Sequence, residues 1–290
     1  MPETVSACPL CGSGHNAHFD RRIFRGQPVV NRLCQSCGLV YQSPRMDEAE
    51  LATFYEAEYR QLYQGGEGPN ARDLSVQSRR AEALLAFCKD LLPPVKCHLD
   101  IGCSAGLLLR QFQGAYGCQS VGVEPGAAYR QYAQNQGMTV FASLDEIRTQ
   151  EMEPFDLVSM AHVLEHLPDP VGYLAGVRVD LLASGGCLLV EVPNLYAHDS
   201  FEVAHLVAYS AHTLRQALGK AGFEVIALQA HGRPRSSVLP LYLTALARPL
   251  EKTTPFQVQP ESNVRWKRWW GMSRCRVMQR LFPRQIWLPI

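Results

Sequence analysis

The stretch His98 to Phe112, HLDIGCSAGLLLRQF, limits what this chain can fold into more than any other segment. An apolar run ends at Asp100, a glycine follows, a second glycine comes four residues later, and from Leu107 the pattern turns helical. Strand, glycine turn and helix in that order are how a nucleotide pocket begins. From Val95 the alternation continues: KCHLDIG, SVGVEP, TVF, FDLVSM and GCLLVEVPN read as strands, with helix-like stretches between several of them. Such alternation predicts an α/β fold with a mainly parallel sheet covered on both faces, and ligands beyond the carboxyl ends of its strands.

The residues after those strands narrow the ligand. Gly102 and Gly106 are spaced G-x-x-x-G, lacking the middle glycine that lets a pyrophosphate approach the backbone in dinucleotide sites. Asp100 would repel phosphate and attract a cationic amino group, whereas Glu124, in VGVEPG, can accept from both hydroxyls of a ribose. A pocket of this kind fits a nucleoside amino acid, and S-adenosylmethionine is such a molecule; an NAD enzyme is the competing reading.

LDIGCSAG, VGVEP, FDLVSMAHVLEHLPDP and LLASGGCLLVEVPN, in that order, resemble the successive motifs of class I S-adenosylmethionine-dependent methyltransferases, from about Val95 to Phe223. The resemblance implies a Rossmann-like, seven-stranded sheet whose last strands, FEVIALQA and LPLYLTALA, include an antiparallel one. By matching position it implies that Asp100, Gly102 and Ser104 line the methionine end, with Cys103 and Gly106 in the same turn. It places Glu124 on the ribose with Pro125 beside it, Ser143 and Leu144 against adenine, and Ala161, His162 and Val163 at the sulfonium.

Ten cysteines are present, and four form two C-x-x-C pairs each followed by glycine: Cys8 and Cys11 in CPLCG, Cys34 and Cys37 in CQSCG. Two such knuckles make a tetrahedral four-thiolate site for a structural zinc ion, with no coordination position left open. A redox dithiol is the alternative. The intervening FDRRIFRGQPVVNRL has the Gly-bearing turn of a two-stranded ribbon, and Arg21, Arg22, Arg25 and Arg32 give it a basic side that could touch RNA. The front of the chain, CPLCG through CQSCGLVYQSPRMDEAELATFYEAEY, is similar to a bacterial methyltransferase subgroup met among enzymes of sugar, polysaccharide and secondary-metabolite assembly.

Methyl transfer from a sulfonium is an in-line displacement that depends on aligning the nucleophile, and a hydroxyl nucleophile must also lose a proton. His162, Glu165 and His166 read H-x-x-E-H, close together if helical, and His205 follows later. His166 or His205 could serve as general base. Alternatively His162, Glu165, His166 and His205 hold a second divalent metal, as implied by resemblance to ubiquinone-pathway and small-RNA methyltransferases, which carry E-x-x-E-H here. In the third reading this loop only satisfies backbone groups.

These features divide the chain into a zinc ribbon (1–45), a helical linker or lid (46–94), a methyltransferase core (95–250) and a basic tail (251–290). In the linker, Leu51, Phe54, Tyr55, Tyr59 and Leu62 recur at helical spacing, and a second helix is expected from about Ser75 to Leu92. The tail interleaves tryptophans with Lys and Arg; it could meet a membrane surface, but tryptophans covering the domain is the preferred reading, and Gly271 is expected to weaken a helix. A net charge of +1 argues against whole-molecule attraction to nucleic acid, and with no signal-like start a cytoplasmic location is expected. The expected function is methylation of a hydroxyl or carbon of a sugar, glycan or secondary metabolite. RNA methylation, or an adenosyl-ligand-binding interaction protein without catalysis, are the alternatives.

Overall fold

The structure, a computed structural model, describes residues 3–53, 68–150, 152–251 and 255–288. Its centre is a seven-stranded sheet of β4 (Cys97–Ile101), β5 (Gln119–Val123), β6 (Thr139–Phe141), β7 (Phe155–Ala161), β8 (Leu182–Pro193), β10 (Phe223–His231) and β11 (Tyr242–Pro249). The order across the sheet is β10-β11-β8-β7-β4-β5-β6, and β11 alone runs antiparallel to its two neighbours. Strand β4 pairs with β5 on one side and β7 on the other, so the order reverses there and a crevice opens beyond the strand ends. The central strands are buried on both faces, which is why they read as continuous apolar runs.

Helices connect the parallel strands: α3 (Leu107–Tyr116), α4 (Ala127–Asn135), α5 (Leu144–Arg148) and α6 (Pro170–Gly176). Before them come α1 (Glu48–Thr53) and α2 (Ala71–Cys88). Of the linker stripe, Leu51 lies on α1 and is buried; Phe54, Tyr55, Tyr59 and Leu62 fall outside the described residues. Helix α2 starts at Ala71, not Ser75, because Asn70 caps it: its Oδ1 accepts from the Asp73 amide at 3.0 Å while the Asp73 carboxylate accepts from the Asn70 amide at 3.5 Å. It stops at Cys88 rather than Leu92, short of Pro93 and Pro94.

At the front, β1 (Asn16–Phe24) and β2 (Gln27–Cys34) form an antiparallel hairpin whose turn residues Arg25 and Gly26 both have positive φ, the twist that suits a two-residue hairpin. The ribbon is larger than the two strands expected. It continues through β3 (Val40–Gln42) to β9 (Val207–Ala208), a strand supplied from beyond β8. Buried Cys8, Leu10, Leu39 and Tyr41 belong to one apolar cluster with Leu164, Leu206, Val158 and Val190, so the front module and the large sheet share a core. After β9 come α7 (Ala211–Lys220), the β10–β11 pair and α8 (Val264–Leu281). Among the described residues no helix is long and apolar enough to cross a membrane.

Candidate active site

The turn after β4 is built on left-handed backbone at Gly102 (φ 76°), Ser104 (φ 51°) and Gly106 (φ 77°). Any side chain at Gly102 would collide with Val163, since an added Cβ would lie 2.5 Å from its Cγ2. The turns after β4 and β7 therefore meet at Gly102 and Val163, with Ala161 and His162 just before Val163 in the chain. The Gly102 and Cys103 amides both donate to the Val123 carbonyl (2.8 and 2.9 Å), drawing the turn toward β5. Buried Glu124 completes the tie: Oε2 accepts from the Ser104 amide and Oε1 from the Gly126 amide, each at 2.9 Å. Pro125 follows Glu124, whose amide donates to the Phe141 carbonyl at the end of β6 at 2.9 Å; two residues on, Ser143 caps α5, its Oγ accepting from the Glu146 amide at 3.3 Å, with Leu144 as the first helical residue.

Asp100 lies deeper than the turn. It is buried, and its Oδ1 accepts from Ser159 Oγ on β7 at 2.6 Å; Ser159 Oγ also lies 2.8 Å from His98 Nε2. Burial pushes the Asp100 carboxyl up to about 7 and the His98 imidazole down to about 3, so the network is neutral across much of the acid range.

The H-x-x-E-H residues do not lie on an α-helix. Leu164–His166 form a single 3₁₀ turn, and His162 precedes it in left-handed conformation (φ 58°), because the strand must bend sharply out of β7 and the two prolines at Pro168 and Pro170 end any longer turn. The bend sets His162 between Glu165 and Glu191. Its Nε2 is 3.2 Å from Glu191 Oε1 and its Nδ1 is 3.2 Å from Glu165 Oε1. Burial and neighbouring Arg80 lower its pKa, but the two carboxylates outweigh them and the net shift is upward.

Glu165, His166 and His205 converge, their ligand atoms all within 4.8 Å of one another. Each histidine has Nδ1 against a backbone carbonyl, His166 on Ala204 at 2.9 Å and His205 on Ser200 at 2.8 Å. Each Nδ1 therefore carries the hydrogen, and in the neutral ring Nε2 is the basic nitrogen. Burial lowers the His166 pKa to about 4, which favours that neutral ring. Oε1 of the buried Glu165 carboxylate faces His162 Nδ1, and its Oε2 has no hydrogen-bond partner among the described residues. Two histidines fixed by backbone carbonyls beside a buried carboxylate with one oxygen unpartnered fit a divalent cation.

Sequence reasoning missed the group behind His162. Glu191, fully buried near the end of β8, takes Arg80 Nε at 2.8 Å, His231 Nε2 at 3.2 Å and Thr244 Oγ1 at 3.2 Å besides His162. Burial raises its pKa, yet His162, His231 and Arg80 reverse this and hold it well below the usual carboxylate range. The available signal was a lone carboxylate inside the apolar run LLVEVP.

At the front, the Cys8 and Cys37 sulfurs are 3.6 Å apart and those of Cys11 and Cys34 3.5 Å, all four within 4.8 Å of one another. A tetrahedron of Zn–S bonds of about 2.3 Å has edges of about 3.8 Å, so the donor set fits zinc. The Gly12 and Gly38 amides close the knuckles by donating to Cys8 and Cys34 carbonyls at 2.8 and 2.9 Å. Arg22 is held by Asp20 and Asp199, Arg32 donates to Asn16, and the Arg25 guanidinium lies over the Phe24 ring, so much of the basic side is engaged internally.

Among curated proteins, the chain is similar to a ubiquinone biosynthesis O-methyltransferase of Bradyrhizobium sp. (39% identical over 101 residues, 33% of this chain and 39% of that protein). It is also similar to a tRNA U34 carboxymethyltransferase of Dichelobacter nodosus (32% over 101 residues, 32% of this chain and 31% of that protein). The matched segments thus span well under two thirds of either relative. Among solved structures, a chain in the complex of the Trm112 methyltransferase activator with a methyltransferase from Haloferax volcanii shares the fold, at a TM-score of 0.50 and 16% identity over 64% of this chain and 96% of that one. Residues 74–228, which hold the Glu124 crevice and the Glu165 turn, match the family model described as a methyltransferase domain, and the chain belongs to that family.

Proposed function

We propose that this protein transfers a methyl group from S-adenosylmethionine to a small-molecule acceptor. The observation that carries the reading is Glu124 at the switch point of the sheet, a buried carboxylate fixed by amides of the two turns that would enclose a ribose. The cofactor supplies an electrophilic methyl on its sulfonium. Glu124 would accept from the ribose hydroxyls, the short side chains of Gly102 to Gly106 would leave space for the methionine portion, and Ser143 and Leu144 would border the base. Asp100, tied to Ser159, would act from beneath the turn, holding its shape. The acceptor we favour is a hydroxyl or carbon of a sugar, glycan or secondary metabolite; similarity to proteins named as O-methyltransferases supports oxygen. Four cysteines around a zinc ion would fix the front module.

Calorimetric titration with S-adenosylhomocysteine tests the reading. Wild-type protein should bind it and not NAD, and Glu124→Gln should weaken binding at least about tenfold, the loss of a charged hydrogen-bond acceptor. Folded protein that binds neither ligand would overturn the reading.

The convergence of Glu165, His166 and His205, with Glu165 Oε2 unpartnered, favours one addition, a divalent metal held by these three that would lower the pKa of an acceptor hydroxyl. Cobalt(II) titration of the zinc-loaded protein should show a second binding event that His205→Ala removes. If none occurs, His166 or His205 acting as general base is the better account. RNA methylation, supported by the name of the tRNA relative, predicts binding of RNA that falls steeply with salt.

A further inference from the structure

The tail does not cover the domain as expected from its sequence. All four tryptophans lie between Trp266 and Trp287, and Trp266, Trp269 and Trp270 on α8 are 61%, 62% and 56% exposed. Helix α8 nevertheless runs without interruption through Gly271, because that residue is where it touches the protein: an added Cβ would lie 2.1 Å from the Tyr196 carbonyl oxygen. Buried Val264 and Cys275 lie on the same face as Gly271.

At about 100° per residue, the opposite face carries Trp266, Trp270, Val277 and Leu281 in one stripe. The last two are 52% and 65% exposed, and the Trp266 and Trp270 rings stack on each other with centroids 6.2 Å apart. Charge is arranged around the stripe. From Val264 to Ile290 there are seven Lys or Arg and no Asp or Glu, in a protein whose net charge is only +1. Arg265, Lys267 and Arg268 are spent on the domain: Arg265 donates to the His18 carbonyl, Lys267 pairs with Glu261 and Arg268 with Asp199. Arg274, Arg276, Arg280 and Arg284 are exposed and have no ion pair among the described residues. Arg276 and Arg280 flank one side of the stripe and Arg274 the other.

We infer that α8 is a docking helix for an anionic lipid bilayer, lying in the interface with its Trp266–Leu281 stripe among the acyl chains and its unpaired arginines at the headgroups. A rigid helix with one apolar stripe, cations on both margins and its third face anchored to a folded domain has the geometry of an in-plane membrane helix. Stacked indoles and exposed Trp are suited to the boundary between headgroups and hydrocarbon. RNA would be served less well, because Val277 and Leu281 offer nothing to base stacking and Trp266 and Trp270 already occupy each other's faces. The inference does not depend on the methyl-transfer reading.

The full chain is its own probe, since its tryptophans are confined to the tail. Adding phosphatidylcholine–phosphatidylglycerol vesicles should shift the fluorescence to the blue and carry the protein into the vesicle pellet; pure phosphatidylcholine vesicles should bind at least about tenfold more weakly, and high salt should reverse part of the binding. Two variants at exposed positions, Trp266→Ser with Leu281→Ser, and Arg276→Glu with Arg280→Glu, should each lose at least about tenfold in partitioning with unchanged thermal melts. Failure of folded wild-type protein to bind the anionic vesicles would overturn the inference. So would charge-reversed protein that binds them as well as wild type, or saturable binding of an RNA oligonucleotide in place of vesicles.

Discussion

His98 and Asp100 are two residues apart on β4 and are linked through Ser159, yet each hides the pH dependence of the other. With the carboxyl raised to about 7 and the imidazole lowered to about 3, the folded pair holds one proton between about pH 4 and 6.5. The unfolded pair also holds one there, on the histidine, so the numbers match and stability gains no slope from the pair. Single substitutions should unmask opposite slopes. In Asp100→Asn, unfolded His98 binds a proton that the folded one does not, so stability should fall as pH drops from 6.5 toward 4. In His98→Gln, folded Asp100 keeps a proton that the unfolded one releases, so stability should fall as pH rises from 4 toward 7. Taken as the difference from wild type, each slope should approach about 1.4 kcal/mol per pH unit, measured by denaturant unfolding at several pH values. Profiles that match wild type in both variants would show that the pair is not buried in this manner.

At the scale of elements, Gly271 separates two physical effects of opposite sign. In an unconstrained helix, Gly→Ala stabilises by about 1 kcal/mol. In α8 the same change drives a methyl into the Tyr196 carbonyl, where backbone has to move, and overpacking costs about 1–3 kcal/mol. Gly271→Ala should therefore lower the midpoint of thermal unfolding, with tryptophan fluorescence reporting the loosening of α8. Which elements could be read from sequence follows the same division between local and distant causes. Strands β4, β5, β7 and β8 announced themselves because burial on both faces demands continuous apolar runs. The Cys knuckles were legible because two thiols and a glycine make a local structure. Gly271 was misread, since the Tyr196 backbone that makes it necessary is 75 positions away. The H-x-x-E-H spacing does not show the β7 bend at His162, and a lone Glu191 does not show that Arg80, His231 and Thr244 reach it from three separate elements.

The whole molecule joins its front and middle more tightly than the sequence suggested, and this changes what the zinc site should do. A small ribbon with its own fold would lose its metal and melt alone, leaving the sheet intact. Here β3 pairs with β9, which returns from beyond β8, and Lys220 at the end of α7 donates to the Leu10 carbonyl at 2.6 Å within the first cysteine knuckle. Cys8, Leu10, Cys34 and Cys37 also share their apolar cluster with Leu164 and Leu206, which bracket the Glu165 and His205 site. Loosening the cysteines would open that cluster from one end. Cys11→Ser, which breaks the thiolate set without touching the Glu165 group, should lower the unfolding temperature of the entire cooperative transition by roughly 10 °C or more, as loss of several kcal/mol would in a chain of this size. It should also weaken any cation binding at Glu165, His166 and His205, because the segment from Ala204 to Ala208 is held by β3 on one side and by the His166 ring on the other. Scanning calorimetry distinguishes the cases: one transition displaced downward is expected, whereas an early ribbon transition followed by an unshifted main one would show that the zinc site stabilises only its own module.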